Sequence, residues 1–97
     1  MSFSELIKSD KPVLVDFFAT WCGPCKTMAP ILSQVKTKMG DKANIIKVDV
    51  DQNPSAAQAY QVSGVPTLIV FKNGQIVWRQ SGVVGPDQLV NVLNSYI

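Results

Sequence analysis

The chain contains no histidine. Imidazole is therefore absent from every mechanism, as general base, proton shuttle or metal ligand. Proton transfer near neutral pH falls to a thiol, a displaced carboxylate or water. Cysteine is scarce, with two in 97 residues, too few for the disulfide framework of a small secreted domain. No segment approaches the roughly 18 consecutive apolar residues that span a bilayer. The opening residues Met1-Ser2-Phe3-Ser4-Glu5 lack the basic and apolar regions of an export signal. Charge is sparse as well, at 16% of residues and a net +2, which argues against a nucleic-acid or membrane surface. These absences lead us to expect a soluble, cytoplasmic protein whose thiols stay reduced.

What is present fits a compact body. The chain is 46% hydrophobic, and its length predicts a single domain over residues 1–97. Leu6 and Ile7 give residues 4–9 a short helical character, which Pro12 ends. Residues 13–19 are nearly all apolar, as in a strand covered on both faces. Met28, Leu32, Val35 and Met39 recur at helical spacing, with Pro30 inside the pattern and Gly40 as a stop. Residues 45–50 read as a second interior strand. Asn53-Pro54 reads as a cap and first turn for a short helix over 55–60. A third strand over 67–71 leads into Asn73-Gly74, a strong hairpin signal, so 75–81 is expected to pair antiparallel with it. Gly85-Pro86 opens a last helix whose apolar stripe is Leu89, Leu93, Tyr96 and Ile97. This order predicts an α/β fold, a central mixed four-stranded sheet with helices on both faces. A right-handed strand-helix-strand unit places residues 20–26 at the carboxyl end of the central strand.

Both cysteines lie in that stretch, Trp21-Cys22-Gly23-Pro24-Cys25-Lys26. Thiols at i and i+3 can close a small disulfide ring where the backbone turns into a helix. Unsatisfied N–H groups and the helix dipole favour a thiolate at such a start. A CxxC between a strand and a helix reads as a redox motif. The alternatives are buried structural cysteines, or half of a zinc site completed in a dimer or by two carboxylates. Asp16 interrupts the apolar strand, and a buried carboxylate is expected to titrate high unless it is paired. Lys47 likewise interrupts an apolar strand; it either compensates Asp16 or snorkels to water. Trp21, next to the turn, is read as a partly exposed aromatic lining the site. Trp78 has no role that the sequence suggests.

Residues 15–26, Val-Asp-Phe-Phe-Ala-Thr-Trp-Cys-Gly-Pro-Cys-Lys, resemble the active-site segment of the thioredoxins. Asp51-Gln52-Asn53-Pro54, Val65-Pro66-Thr67 and Phe71-Lys72-Asn73-Gly74 resemble the same family at matching spacing. The likeness runs from about Ser2 to the end. It departs at Phe18, where many relatives carry tryptophan. It departs also at the start, where thioredoxins usually have an additional strand beside the one matching 45–50; that strand is expected here to be an edge able to recruit another chain.

The resemblance implies a protein-disulfide reductase acting by thiol–disulfide exchange. Cys22 would be the attacking thiolate, nearer the surface, and Cys25 the resolving thiol. Asp16 would lie beneath Cys25 and exchange its proton, with Lys47 beside it. An X–Pro bond is ordinarily trans, but the family has a cis-proline here, so Pro66 is expected cis and facing the pair. Gly23, Pro24, Gly64, Val65, Gly82 and Val83 would form a backbone-rich rim around Cys22, with Val65 offering backbone groups to an extended substrate. No bound cofactor and no metal are implied. The implied partners are a flavin- and NADPH-dependent thioredoxin reductase and disulfide-containing proteins. A monomer is expected, with a dimer through the edge strand as the alternative. A disulfide oxidase or isomerase on the same fold, and a non-catalytic binding module, are the competing functions.

Overall fold

The computed structural model describes residues 2–97. Its strands are β1 (Val13–Phe18), β2 (Asn44–Asp49), β3 (Thr67–Lys72) and β4 (Gln75–Ser81). Its helices are α1 (Phe3–Leu6), α2 (Gly23–Met39), α3 (Pro54–Ala59) and α4 (Pro86–Asn94). The strands form one sheet in the order β2-β1-β3-β4. β1 runs parallel to β2 and antiparallel to β3, and β3 pairs antiparallel with β4. The expected mixed sheet is therefore present, and the strand over 45–50 lies at its outer edge.

Side chains alternate across the two central strands because successive Cβ atoms point to opposite faces. Leu14, Leu68 and Val70 face Met28, Leu32 and Val35 of α2 and Leu89 and Leu93 of α4. Val13, Val15, Phe17, Ile69 and Phe71 face the other way, towards Ile7, Ala56 and Tyr60. There the rings of Phe3, Phe17, Tyr60 and Phe71 meet, with Tyr60 edge-on to Phe71 at 5.1 Å between centroids. Both faces of β1 and β3 are thus sealed by apolar packing, the main stabilising contribution in a domain of this size.

The hairpin is as expected. Asn73 and Gly74 both take positive φ, 55° and 80°, the conformation a tight two-residue turn requires. Their N–H groups donate to the Ser9 and Ile7 carbonyls, tying the hairpin tip to the α1 end of the chain. β4 carries a bulge: Val70 pairs with Trp78 but Phe71 pairs with Ile76, leaving Val77 as an extra residue. Trp78 packs partly buried against the α2–α4 cluster, which gives it a structural place.

Several boundaries differ from the sequence expectation. α2 begins five residues before Met28, at Gly23, because Cys22 caps it; the apolar spacing marks only the turns that face the core. Asn53 flanks α3 but its side chain does not cap it. It donates instead to the Asp49 carbonyl at 3.0 Å. The last helix ends at Asn94, so Tyr96 and Ile97 do not extend its buried stripe. Tyr96 turns back and donates its hydroxyl to the Val77 carbonyl at 2.9 Å, and Ile97 is exposed.

Candidate functional site

β1 ends at Phe18, and the Cys22 N–H donates to the Ala19 carbonyl in the turn that follows. The chain then enters α2, with Cys22 in extended conformation as its N-cap and proline in the first turn. The Cys22 sulfur accepts the Cys25 N–H at 3.2 Å. The sequence thus makes a sulfur the capping group of a 17-residue helix, where an oxygen usually stands. A free N–H and the positive end of the dipole both favour that sulfur as an anion. Cys25 lies one turn in, with the Cα atoms 5.3 Å apart and the two sulfurs joined.

Ala19, Cys22 and Cys25 form a small buried cluster against Phe18, Val50 and Val65. Cys22 was expected nearer the surface than Cys25, and that difference is not found: the two residues are 4% and 7% exposed. Capping folds the Cys22 sulfur back over the helix end. Access is provided instead by the surroundings. Trp21, Gly23, Pro24, Gly64 and Val83 are exposed, while Val65 and Gly82 are half-buried. The Val65–Pro66 bond is cis, and the Val65 carbonyl oxygen lies 3.6 Å from Cys22 Sγ.

Three loops meet here, and cross-links hold them together. The Gly82 N–H donates to the Pro66 carbonyl at 2.9 Å, and Gly82 has φ +91°, a conformation open to glycine at little cost. Thr67 Oγ1 donates to the Gly64 carbonyl at 2.6 Å and lies 3.1 Å from Ser81 Oγ. The Val84 N–H reaches the sulfur of buried Met28 at 3.4 Å. Trp21 is 70% exposed yet held in place, its indole N–H donating to Asp51 Oδ2 at 2.8 Å. The parts that Asp51, Thr67, Ser81 and Met28 play in holding the site escaped the sequence reading. Asp51 and Thr67 stand inside segments that carry the family resemblance, but only the fold reveals what they bond. Met28→Leu conserves volume while removing the acceptor for the Val84 N–H. It is expected to lower stability by about 1 kcal/mol in urea unfolding.

Asp16 lies in the middle of β1 on the face shared with Leu14, so it projects towards the α2 side of the sheet. It is fully buried, and neither carboxylate oxygen has a hydrogen-bond partner among the described residues. Burial pushes its carboxyl up from 3.8 to about 6, with the charge of Lys47 pulling the other way. Lys47 is the ladder partner of Asp16 across β1 and β2, but the two form no ion pair. Its side chain is exposed and its ammonium stands over the Phe18 ring, 4.8 Å from the centroid. Lys47 thus acts on Asp16 through space while its own charge stays near water. A cleft of about 220 Å³ beside Cys25 is lined by Phe18, Thr20, Lys26 and Lys47. Among the described residues, no three His, Cys, Asp or Glu side chains gather to hold a metal ion.

A sulfur that caps a helix, joined to a second sulfur one turn away, suits one chemistry. It can exchange its disulfide with other thiols and disulfides, and the protein is of the thiol–disulfide oxidoreductase class. The family model described as Thioredoxin matches residues 1–95, and the chain belongs to that family. It is 50% identical over 95 residues to a chloroplastic thioredoxin Y of rice, covering 97% of this chain and 56% of the rice protein. A thioredoxin-like protein of Synechocystis is 46% identical over 97 residues, covering 99% of this chain and 92% of that one. A thioredoxin of Mycobacterium tuberculosis is 46% identical over 94 residues, covering 97% and 81% respectively.

Proposed function

We propose that the chain reduces disulfides in proteins, with Cys22 as nucleophile and Cys25 as resolving thiol. The Cys22 thiolate attacks one sulfur of a substrate disulfide, forming a mixed disulfide and expelling the other substrate sulfur as a thiolate. Cys25 loses its proton to Asp16 and attacks the Cys22 sulfur. The second substrate thiolate leaves, and the Cys22–Cys25 disulfide is formed; two electrons have passed to the substrate. The observation that carries the assignment of nucleophile is the helix N–H bonded to the Cys22 sulfur. Support for Asp16 as proton acceptor is its carboxyl near pH 6 in a chain without histidine.

Substrate contact falls to Trp21, Gly23, Pro24, Gly64, Val65, Pro66, Gly82 and Val83, a rim poor in charge and rich in backbone. Such a rim suits an extended segment of many sequences. Lys47 limits how far the Asp16 carboxyl rises. The pair itself carries the electrons, with no bound cofactor, and a flavin- and NADPH-dependent thioredoxin reductase restores it. The working compartment is one that keeps thiols reduced, the cytoplasm, and the chain acts as a monomer.

Equilibration with glutathione buffers tests the direction of electron flow. The reduced protein is expected to convert glutathione disulfide to glutathione at equilibrium, with the Cys22–Cys25 disulfide accumulating. A pair that instead oxidises glutathione would assign the protein to disulfide introduction.

A further inference from the structure

The loop carrying Val65 has a clamp at its other end. Arg79 lies on β4 opposite Ile69, and Ile69 belongs to the cluster on the α3 side, so Arg79 projects over that face. One guanidinium nitrogen donates to the Tyr60 carbonyl and the other to the Gln61 carbonyl at 2.8 Å. These are consecutive carbonyls at the end of α3, where the loop over 62–66 begins. Gln61 is held at φ +55°, a left-handed conformation that a non-glycine residue keeps only when its surroundings enforce it. The Gln61 N–H donates to Gln58 and the Val62 N–H to Ala57, so the turn's donors are bonded within the chain and its two carbonyls are bonded to Arg79.

We infer that Arg79 is a positioning residue for substrate, fixing the direction in which the chain leaves α3 and hence where Val65 presents its backbone. This rests on the reading that the Val65 segment receives an extended substrate. The far end of the loop is fixed independently, by Gly82 on Pro66 and Thr67 on Gly64. Loss of Arg79 therefore leaves the sulfurs and the Pro66 end in place and lets the stretch from Gln61 to Val65 shift about the Gly64 and Pro66 bonds. The consequence is selective: a disulfide within a polypeptide needs the rim, and a small disulfide without peptide groups does not.

The test compares insulin with 2-hydroxyethyl disulfide as substrates for the wild type, Arg79→Met and Arg79→Lys. Arg79→Met is expected to raise the KM for insulin about three- to tenfold, the scale of one or two lost hydrogen bonds. Its kcat on insulin, its rate on 2-hydroxyethyl disulfide and its reduction potential are expected to match the wild type. Arg79→Lys, able to reach one carbonyl with one ammonium, is expected to fall between. An unchanged KM, or equal losses on both substrates, would overturn the positioning role. Should Arg79→Met fail to fold, the Arg79→Lys comparison, made well below its own unfolding temperature, decides by the same criterion. Failure of the underlying reading is seen separately, as a wild type that reduces 2-hydroxyethyl disulfide but not insulin.

Discussion

Cys22→Ser is expected to abolish disulfide reduction, lowering the rate by more than about 10³-fold, because a serine hydroxyl is essentially un-ionised and a far weaker nucleophile towards sulfur than a thiolate. Cys25→Ser is expected to behave differently. Its Cys22 still has the Cys25 backbone N–H as a donor, since that bond comes from the main chain and not from the thiol. It therefore still attacks a substrate, but no second thiol waits one turn away to release it. Incubation with a disulfide-containing protein is expected to leave a stable mixed disulfide, visible as a covalent adduct that dithiothreitol removes. Normal substrate release by Cys25→Ser would show the division of labour between the two sulfurs to be wrong. An active Cys22→Ser would mean that the pair is incidental to function.

The second large effect concerns Asp16. Its carboxyl titrates at about 6 in the folded protein against 3.8 as reference. Because the folded value is the higher one, the native state binds the proton more tightly than the unfolded chain does. The native state therefore loses stability as pH rises from about 4 to about 6, and the full cost persists above that. A shift of this size corresponds to about 3 kcal/mol. Asp16→Ala removes the ionisable group and leaves a small cavity that offsets part of the gain. Urea unfolding is expected to find it more stable than the wild type by about 1–2 kcal/mol at pH 8, with the advantage gone at pH 4. A gain of equal size at both pH values would remove burial of charge as the cause. The same variant is expected to slow resolution of the mixed disulfide between pH 6 and 8 while leaving the first attack intact. An unaltered pH profile for resolution would exclude Asp16 as the proton acceptor.

That a stabilising substitution is also expected to slow the enzyme is the usual bargain at a functional site. An unpaired carboxylate facing the core is a local conflict of the kind that a chain selected for stability alone would not keep. This conflict was legible in the sequence, where Asp16 breaks an apolar run. So were the strands read at 13–19 and 67–71, whose apolar residues announce burial on both faces, and the Asn73-Gly74 turn, whose residue types tolerate positive φ.

Other features lay beyond sequence patterning for identifiable reasons. That Cys22 itself caps α2 was hidden, because Gly23 and Pro24 are not helix formers by propensity and a cysteine is not an expected cap. Tyr96 was drawn into the last helical stripe because spacing alone cannot show the chain turning back to Val77. Arg79 reads as one more surface charge on an edge strand, and only the fold brings it to the carbonyls of Tyr60 and Gln61. The equal burial of the two cysteines follows from how the cap closes over the helix end, a matter of tertiary geometry.

The extra residue at Val77 determines which side chains of β4 look which way. Counted back from Ser81, Arg79 shares its side of the ribbon, and Trp78 takes the opposite one. Deleting Val77 would remove the bulge and leave Trp78 opposite Val70 and Arg79 opposite Ile69, with the indole and the guanidinium on the sides they now occupy. A second deletion would put the ribbon beyond the turn out of phase with β3 and exchange the two faces. This part of the strand therefore carries one residue of slack, and no more.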